Sequence, residues 1–310
     1  MNSLPRASSS VWLKATYKAT PQDFYVEEQM TMEFSGEGEH LYLFIEKIGQ
    51  NTEFIAKQLA NYFGVKAMDV SYSGMKDRWA VTRQWFSVYV RNRQFDSIDL
   101  SGIEGVRLVE FARHNKKLRR GEHVGNHFRL VIRGVSQTAD LSSGLEYIRE
   151  HGFPNYFGVQ RFGRDNQNLE RAKLWFAGEI KVSRSQRSFY LSAVRSYLFN
   201  IMLAEKVQDG TWLVASDGPL YGDDASGLAP KTDEENAFFA QYPELVRGLH
   251  KNRMTLARRP YRMPAENFSW SFDNDALTLH FNLMPGAFAT SLLSELFDLE
   301  DASTRQMAEQ

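Results

Sequence analysis

The chain has 310 residues, a mass of 35.7 kDa and 43% hydrophobic residues, enough for one large or two moderate domains with a sizeable core. It has no cysteine, which excludes disulfides and every thiol, Cys-zinc or iron–sulfur mechanism. Lys+Arg number 37 and Asp+Glu 38, a net charge of −1, and that sum by itself argues against a nucleic-acid partner.

Strands dominate the first half. DFYVEEQM (Asp23 to Met30) and HLYLFIEKI (His40 to Ile48) flank the turn SGEGEH. Asn51 reads as a helix N-cap, with Phe54, Ile55, Gln58, Leu59 and Tyr62 at helical spacing and Gly64 as the stop. Short apolar Val70 to Ser73 precedes a strong strand, VTRQWFSVYV, from Val81 to Val90. Strands at Val106 to Ala112 and His127 to Val135 lead to a helix at Leu141 to Glu150. The middle is different: helices around Asn168 to Ala177 and Ser192 to Val207, a loop-rich stretch from Asp209 to Lys231, and an acidic helix at Asp233 to Phe239. The strand pattern returns at FSWSF and ALTLHFNL, and the spacing predicts a last helix from Thr290 to Leu299. This is an α+β pattern without regular βαβ alternation. A strand-rich start, helical middle and strand-rich end imply one domain, 1–151 plus 264–310, interrupted by an insertion at 152–263.

No stretch is apolar over the length that spans a bilayer, and MNSLPRASSSVWLKATYK carries no apolar leader. A cytoplasmic location without a membrane partner is therefore expected.

The near-zero net charge hides segregation. Between Val106 and Arg133 stand eight basic and two acidic residues, densest at RHNKKLRR, Arg113 to Arg120. Lys251 to Arg262 adds five basic residues and no acidic one, and Lys181, Arg184, Arg187 and Arg195 form a third run. Phosphates respond to the local field rather than the sum, so three separated basic runs interleaved with aromatics restore RNA as a candidate partner.

The segment SYSGMKDRWAVTRQWF sets Asp77 between Lys76 and Arg78, just before a strand. Flanking cations favour the charged form of a carboxylate, and an ionised Asp at a strand end is a usable nucleophile or base. A plain turn aspartate fits the tetrapeptide Gly74-Met75-Lys76-Asp77 as well.

GMKDRWAVTRQWF resembles the catalytic-aspartate motif of the TruD family of pseudouridine synthases. The likeness extends to KATPQDFYVEE at Lys18, GEGEHLYLFIEKIGQNT, ARHNKKLRRGEHVGNHF, PNYFGVQRFG at Pro154, RSFYLSAVRSYLFN and PGAFATSLLSEL. Seven segments in the family's order cover most of the chain; Gly210 to Pro264 matches less well. The resemblance implies a largely antiparallel mixed sheet of pseudouridine-synthase type carrying a more helical α/β insertion. It implies isomerisation of uridine in tRNA, at uridine 13 of the D-arm, with no cofactor and no metal and with no obligate protein partner. Asp77 is then the essential carboxylate, either attacking C1′ or removing a C2′ proton. Phe24, Phe128, Phe288 and Asn126 match positions around the substrate uracil, with Lys18 and Lys76 as partners of Asp77 or a phosphate. Lys18 is favoured, because a sequence neighbour on an extended segment points away. Arg113, Lys116, Lys117, Arg119 and Arg120 would hold the RNA backbone. Two other readings stay open here: an RNA-binding module without catalysis, and a synthase acting on another RNA.

Overall fold

The computed structural model describes residues 4–8, 13–91, 93–163 and 166–306. In chain order these form β1 (Leu13–Tyr17), β2 (Phe24–Gln29), β3 (His40–Ile48), α1 (Thr52–Phe63), β4 (Val70–Tyr72), β5 (Val81–Tyr89), β6 (Val106–His114) and β7 (Gly125–Arg133). Then come α2 (Ala139–His151), β8 (Phe153–Pro154), α3 (Gln167–Ala177), α4 (Arg184–Gln208), β9 (Asp217–Leu220), α5 (Asp233–Ala240), α6 (Pro243–Lys251), β10 (Ala257–Pro260) and β11 (Arg262–Met263). The last are β12 (Glu266–Asp273), β13 (Ala276–Leu283), α7 (Ala289–Ser294), β14 (Phe297–Asp301) and α8 (Ser303–Gln306).

One compact unit comprises the described residues of Trp12–Ala139, Ala265–Gly286 and Phe297–Gln310. Its ten-stranded sheet runs β12-β13-β7-β2-β5-β3-β6, with β1, β14 and β4 attached at the side. Pairing is antiparallel except for β2 with β5 and β1 with β14. Period-two burial decides which face meets the core. Leu41, Leu43 and Ile45 of β3 and Phe86 and Val88 of β5 are fully buried and pack on Ile55, Leu59 and Phe63 of α1. Asn51 holds the N-cap position of α1, and Gly64 ends the helix in the left-handed region at φ 61°, where a side chain would be strained. At one end of that buried face the pattern breaks. Glu28, Lys47, Thr82 and Gln84 occupy inward positions and are buried too. Lys47 is in register with Thr82, and Thr82 with Val26.

The second unit comprises the described residues of Met1–Val11, Asp140–Pro264 and Ala287–Leu296. Its core gathers around α4, with Phe157, Phe162, Leu198, Phe199, Trp212 and Tyr261. The unit is wider than the insertion expected at 152–263, and specific contacts explain why. Tyr147 of α2 packs on its core. Tyr156 Oη donates to the carbonyl of Pro5, and Ser291 Oγ donates to the carbonyl of Tyr156. The long middle stretch is closed at its neck by β8 paired with β11, where Gly152 adopts φ +71° and a Cβ would lie 2.3 Å from the Met263 carbonyl oxygen. Helix α4 begins at Arg184, eight residues before the expected start, because Ser183 and Gln186 close a capping box there.

The helix expected over 290–299 stops at Ser294. Phe297–Asp301 instead pairs in parallel with Leu13–Tyr17, and tertiary pairing overrides helical spacing. The loop-rich stretch 209–231 also hides a short strand, β9, paired with β10 of the basic run.

Glu295 fixes the chain's first segment to this unit by accepting from the backbone N–H groups of Ala7 and Ser8 at 2.8 and 3.2 Å. Burial pushes its carboxyl up from 4.5 to about 7, against those two bonds and the charge of Arg6. The native state then binds more protons than the unfolded state between those values. Stability falls as pH rises across that window. Denaturant unfolding at pH 5 and pH 7 should show this slope, and Glu295→Gln should flatten it. An unchanged slope would remove Glu295 as its source.

Candidate active site

The loop from Ser73 to Ala80 joins β4 to β5 and carries Asp77 across the polar end of the buried sheet face. Four groups pin it. Thr52 Oγ1, at the first turn of α1, accepts from the Lys76 N–H at 3.0 Å. Gln84 Nε2 donates to the Gly74 carbonyl at 2.9 Å. Lys47 Nζ donates to the Asp77 and Gln50 carbonyls, each at 2.8 Å. Trp79 Nε1 donates to the Lys18 carbonyl at 3.0 Å. The inward polar residues of β3 and β5 thus hold the loop, and the hydrophobic pattern breaks where the site sits.

Lys18 follows β1 and adopts a positive φ of 57°, an uncommon backbone region for a residue with a side chain. That turn points the ammonium inward. Lys18 Nζ lies 3.4 Å from Asp77 Oδ2 and 4.2 Å from the centre of the Phe24 ring. The Lys18 side chain is 6% exposed and the Asp77 side chain 43%, so the carboxylate is held from behind and open in front. Lys76 turns the other way: its Nζ pairs with Glu28 Oε1 at 3.1 Å, and Glu28 also accepts from the Trp85 N–H. Phe24 and Phe128 are buried, meeting edge to face at 6.4 Å, and Phe128 stacks on Phe281 at 5.2 Å. Asn126 is opposite Glu28 in the sheet. Its Oδ1 is buried with no hydrogen-bond partner among the described residues. A buried amide oxygen without a donor is costly.

The sheet unit therefore brings together Asp77, Lys18, Phe24, Phe128, Asn126 and Lys76. Phe288 lies in the helical unit at the N-cap of α7, half-buried, 6.2 Å from the Phe157 ring and 6.0 Å from the Arg259 guanidinium.

Comparison with known proteins decides the family. The family model described as tRNA pseudouridine synthase D (TruD) matches residues 7–172. The tRNA pseudouridine synthase D of Histophilus somni is 36% identical over 97% of this chain and all of its own length. That of Pseudomonas aeruginosa is 39% identical over 95% of this chain and 94% of its own. The chain belongs to the TruD family of tRNA pseudouridine synthases. Its fold agrees with the crystal structure described as the putative tRNA pseudouridine synthase D (TruD) from Methanosarcina mazei, which superposes with a TM-score of 0.66 over 94% of this chain and 95% of that one at 17% identity.

In this TruD-family chain the basic segment between β6 and β7 divides. Lys116, Lys117, Arg119 and Arg120 are exposed. Arg113 is half-buried, and its guanidinium donates to the carbonyls of Gly38 and Arg93 and lies over Phe95. Two residues of the site are absent from the motif reading: Lys47 and Glu28. Both stand in segments that resemble the family, and both show one local signal, a charge at an inward position of an alternating strand. Burial pushes the Lys47 ammonium down to about 8, with the Asp77 carboxylate opposing that shift and Lys76 adding to it.

Proposed function

We propose that this chain converts uridine 13 of the tRNA D-arm to pseudouridine in the cytoplasm, with Asp77 as the essential carboxylate and the target base turned out of its stack. The C1′–N1 bond breaks, the uracil turns, a C1′–C5 bond forms, and the C5 proton is replaced by one on N1. Atoms and electrons balance without a co-reactant. The observation that carries the reading is the Asp77 carboxylate, open on one side, with the Lys18 ammonium 3.4 Å away on the other. Attack at C1′ and removal of a C2′ proton both need a carboxylate held in this manner.

Unstacking a base costs a few kcal/mol. Phe288 is proposed to offset part of it, at about 1–3 kcal/mol for a stacked base, whereas Phe24 and Phe128 are buried in the sheet unit and back Lys18. Asn126 Oδ1 would accept from the uracil N3–H and its amide would donate to a uracil oxygen. Lys76 would support the loop through Glu28. Carbodiimide mapping of tRNA from cells with and without this gene tests the assignment. Loss of the D-arm signal supports it, and an unchanged D-arm overturns it.

Lys116, Lys117, Arg119 and Arg120 are proposed to meet the tRNA backbone, with Arg113 bracing their segment from beneath. Replacing the four by Ala should weaken tRNA binding and flatten its salt dependence by up to about one log unit per lost phosphate contact. Filter binding over a salt series checks this. Unchanged affinity and slope would place these side chains away from the RNA.

A further inference from the structure

A cavity of about 480 Å³ opens between α1, the turn at Ala67–Asp69, β4 and the segment Lys117–Arg120. Its size suits a small-molecule site, a class of about 300–1,000 Å³. It contains none of Asp77, Lys18, Phe24, Asn126 or Phe128. Its floor is apolar, formed by Ala56, Val70 and Leu118. A bare phosphate gains nothing from such a floor, whereas a flat base buries its faces there. Four cations, Lys57, Lys117, Arg119 and Arg120, stand in the lining with one carboxylate, Glu53.

Two further features point to a nucleotide. Ser71 lines the cavity, and its Oγ is buried with no hydrogen-bond partner among the described residues. A hydroxyl both donates and accepts, so it can meet the edge of a base. Tyr72 forms a wall. The Arg120 guanidinium lies 4.8 Å from its ring centre and donates to its hydroxyl at 3.0 Å. The Tyr72 ring is itself buried, so the guanidinium plane laid over it is the surface offered to an unpaired RNA base, which stacks on Arg planes as on aromatic ones.

We propose that this cavity takes a second unpaired nucleotide of the RNA substrate, with its base on the apolar floor and its flanking phosphates on the cationic rim. The inference rests on the reading of the chain as an RNA-modifying enzyme and adds a subsite to it. The position gives the subsite a purpose. Strand β4 runs straight into the loop that carries Asp77, and the Gly121 N–H donates to the Ser73 carbonyl at 2.9 Å, tying the basic segment to that loop. A base seated here fixes the RNA against the element that holds the carboxylate.

The test is equilibrium binding of tRNA, which needs no turnover. Ala67 is exposed and lines the cavity. Ala67→Trp fills the space without disturbing the core, and Lys57→Glu reverses a rim charge on the outer face of α1. Wild-type protein is titrated with a set of tRNAs, each carrying one abasic nucleotide. One abasic position outside the modified uridine should weaken binding about ten-fold, the scale of one lost stacking contact. Ala67→Trp should weaken intact tRNA similarly and show no further loss with that abasic tRNA, the non-additivity expected of groups that touch. Lys57→Glu should weaken every tRNA of the set alike. Wild-type affinity for intact tRNA in both variants, or full additivity at every abasic position, overturns the proposal. Failure of the D-arm assignment would appear in the pseudouridine map and would leave this coupling in place.

Discussion

Asp77→Asn should abolish pseudouridine formation, by a factor of about 10⁴ or more, the scale seen when the central group of a catalytic set is removed. The substitution keeps size and shape and removes only the charge. The amide can neither attack C1′ nor take a C2′ proton. Affinity for tRNA should stay within about three-fold of the parent, because the phosphate contacts that dominate binding are elsewhere. Stability should fall modestly. Lys18 loses its ion-pair partner while its side chain is only 6% exposed, but Asp77 is 43% exposed and solvent already screens the pair. Single-turnover assays with saturating enzyme separate chemistry from binding. Modification at the parental rate would remove Asp77 from the mechanism. A parent protein that binds tRNA and modifies none would favour the binding-module reading.

The second large effect is expected at Lys47, which touches no substrate in the proposed reaction. Lys47→Met keeps the length of the side chain and removes the donor to the Asp77 and Gln50 carbonyls. Each unpaired carbonyl costs about 1–3 kcal/mol, so the melting temperature should drop clearly. The sharper readout is kinetic. A reacting group displaced by about 1 Å can cost about 10²-fold in rate, and the loop loses its anchor at the very residue that carries the carboxylate. We expect kcat to fall by about that factor with tRNA affinity nearly unchanged. A lowered melting temperature with normal kcat would make Lys47 a stability residue only.

The sign of a pH effect follows from the same group. In the fold the Lys47 ammonium titrates near 8, and in the unfolded chain near 10.5. Between those values the unfolded state binds more protons, so this group's contribution raises stability as pH rises. The neutral amine still has two N–H groups for its two carbonyls. Denaturant titrations at pH 7.5 and 9.5 should show the parent gaining relative to Lys47→Met. No relative gain would mean that Lys47 titrates normally.

Much of this site is legible in the chain itself. HLYLFIEKI alternates, and its inward set is Leu41, Leu43, Ile45 and then Lys47; FYVEEQ gives Phe24, Val26 and then Glu28. Strands β3 and β2, which flank β5, thus place charges at the same end of one face and mark a polar pocket in an apolar core. Segment likeness supplies Asp77 and Lys18 but not their distance, because 58 residues of intervening chain must fold before the two meet. The failure at 290–299 has a different origin. Phe297 and Leu299 satisfy both a helix and a strand pattern over so short a run, and only the distant partner Leu13–Tyr17 selects the strand. Strand β9, with Gly218 and Pro219, lacks strand propensity altogether and exists because the Arg258–Asp217 and Arg258–Glu235 bonds hold β10 beside it.

On the ribosome, β1 emerges long before its partner. Tyr17 and Asp301, joined by a 2.8 Å hydrogen bond, are 284 residues apart. At an elongation rate of about 5–20 residues per second, the wait is roughly 15–60 s. During it, the backbone edge that β14 later covers stands open to other nascent chains. Slower translation lengthens that exposure, so the yield of native protein should depend on elongation speed and on whatever shields the early strand until the last one arrives.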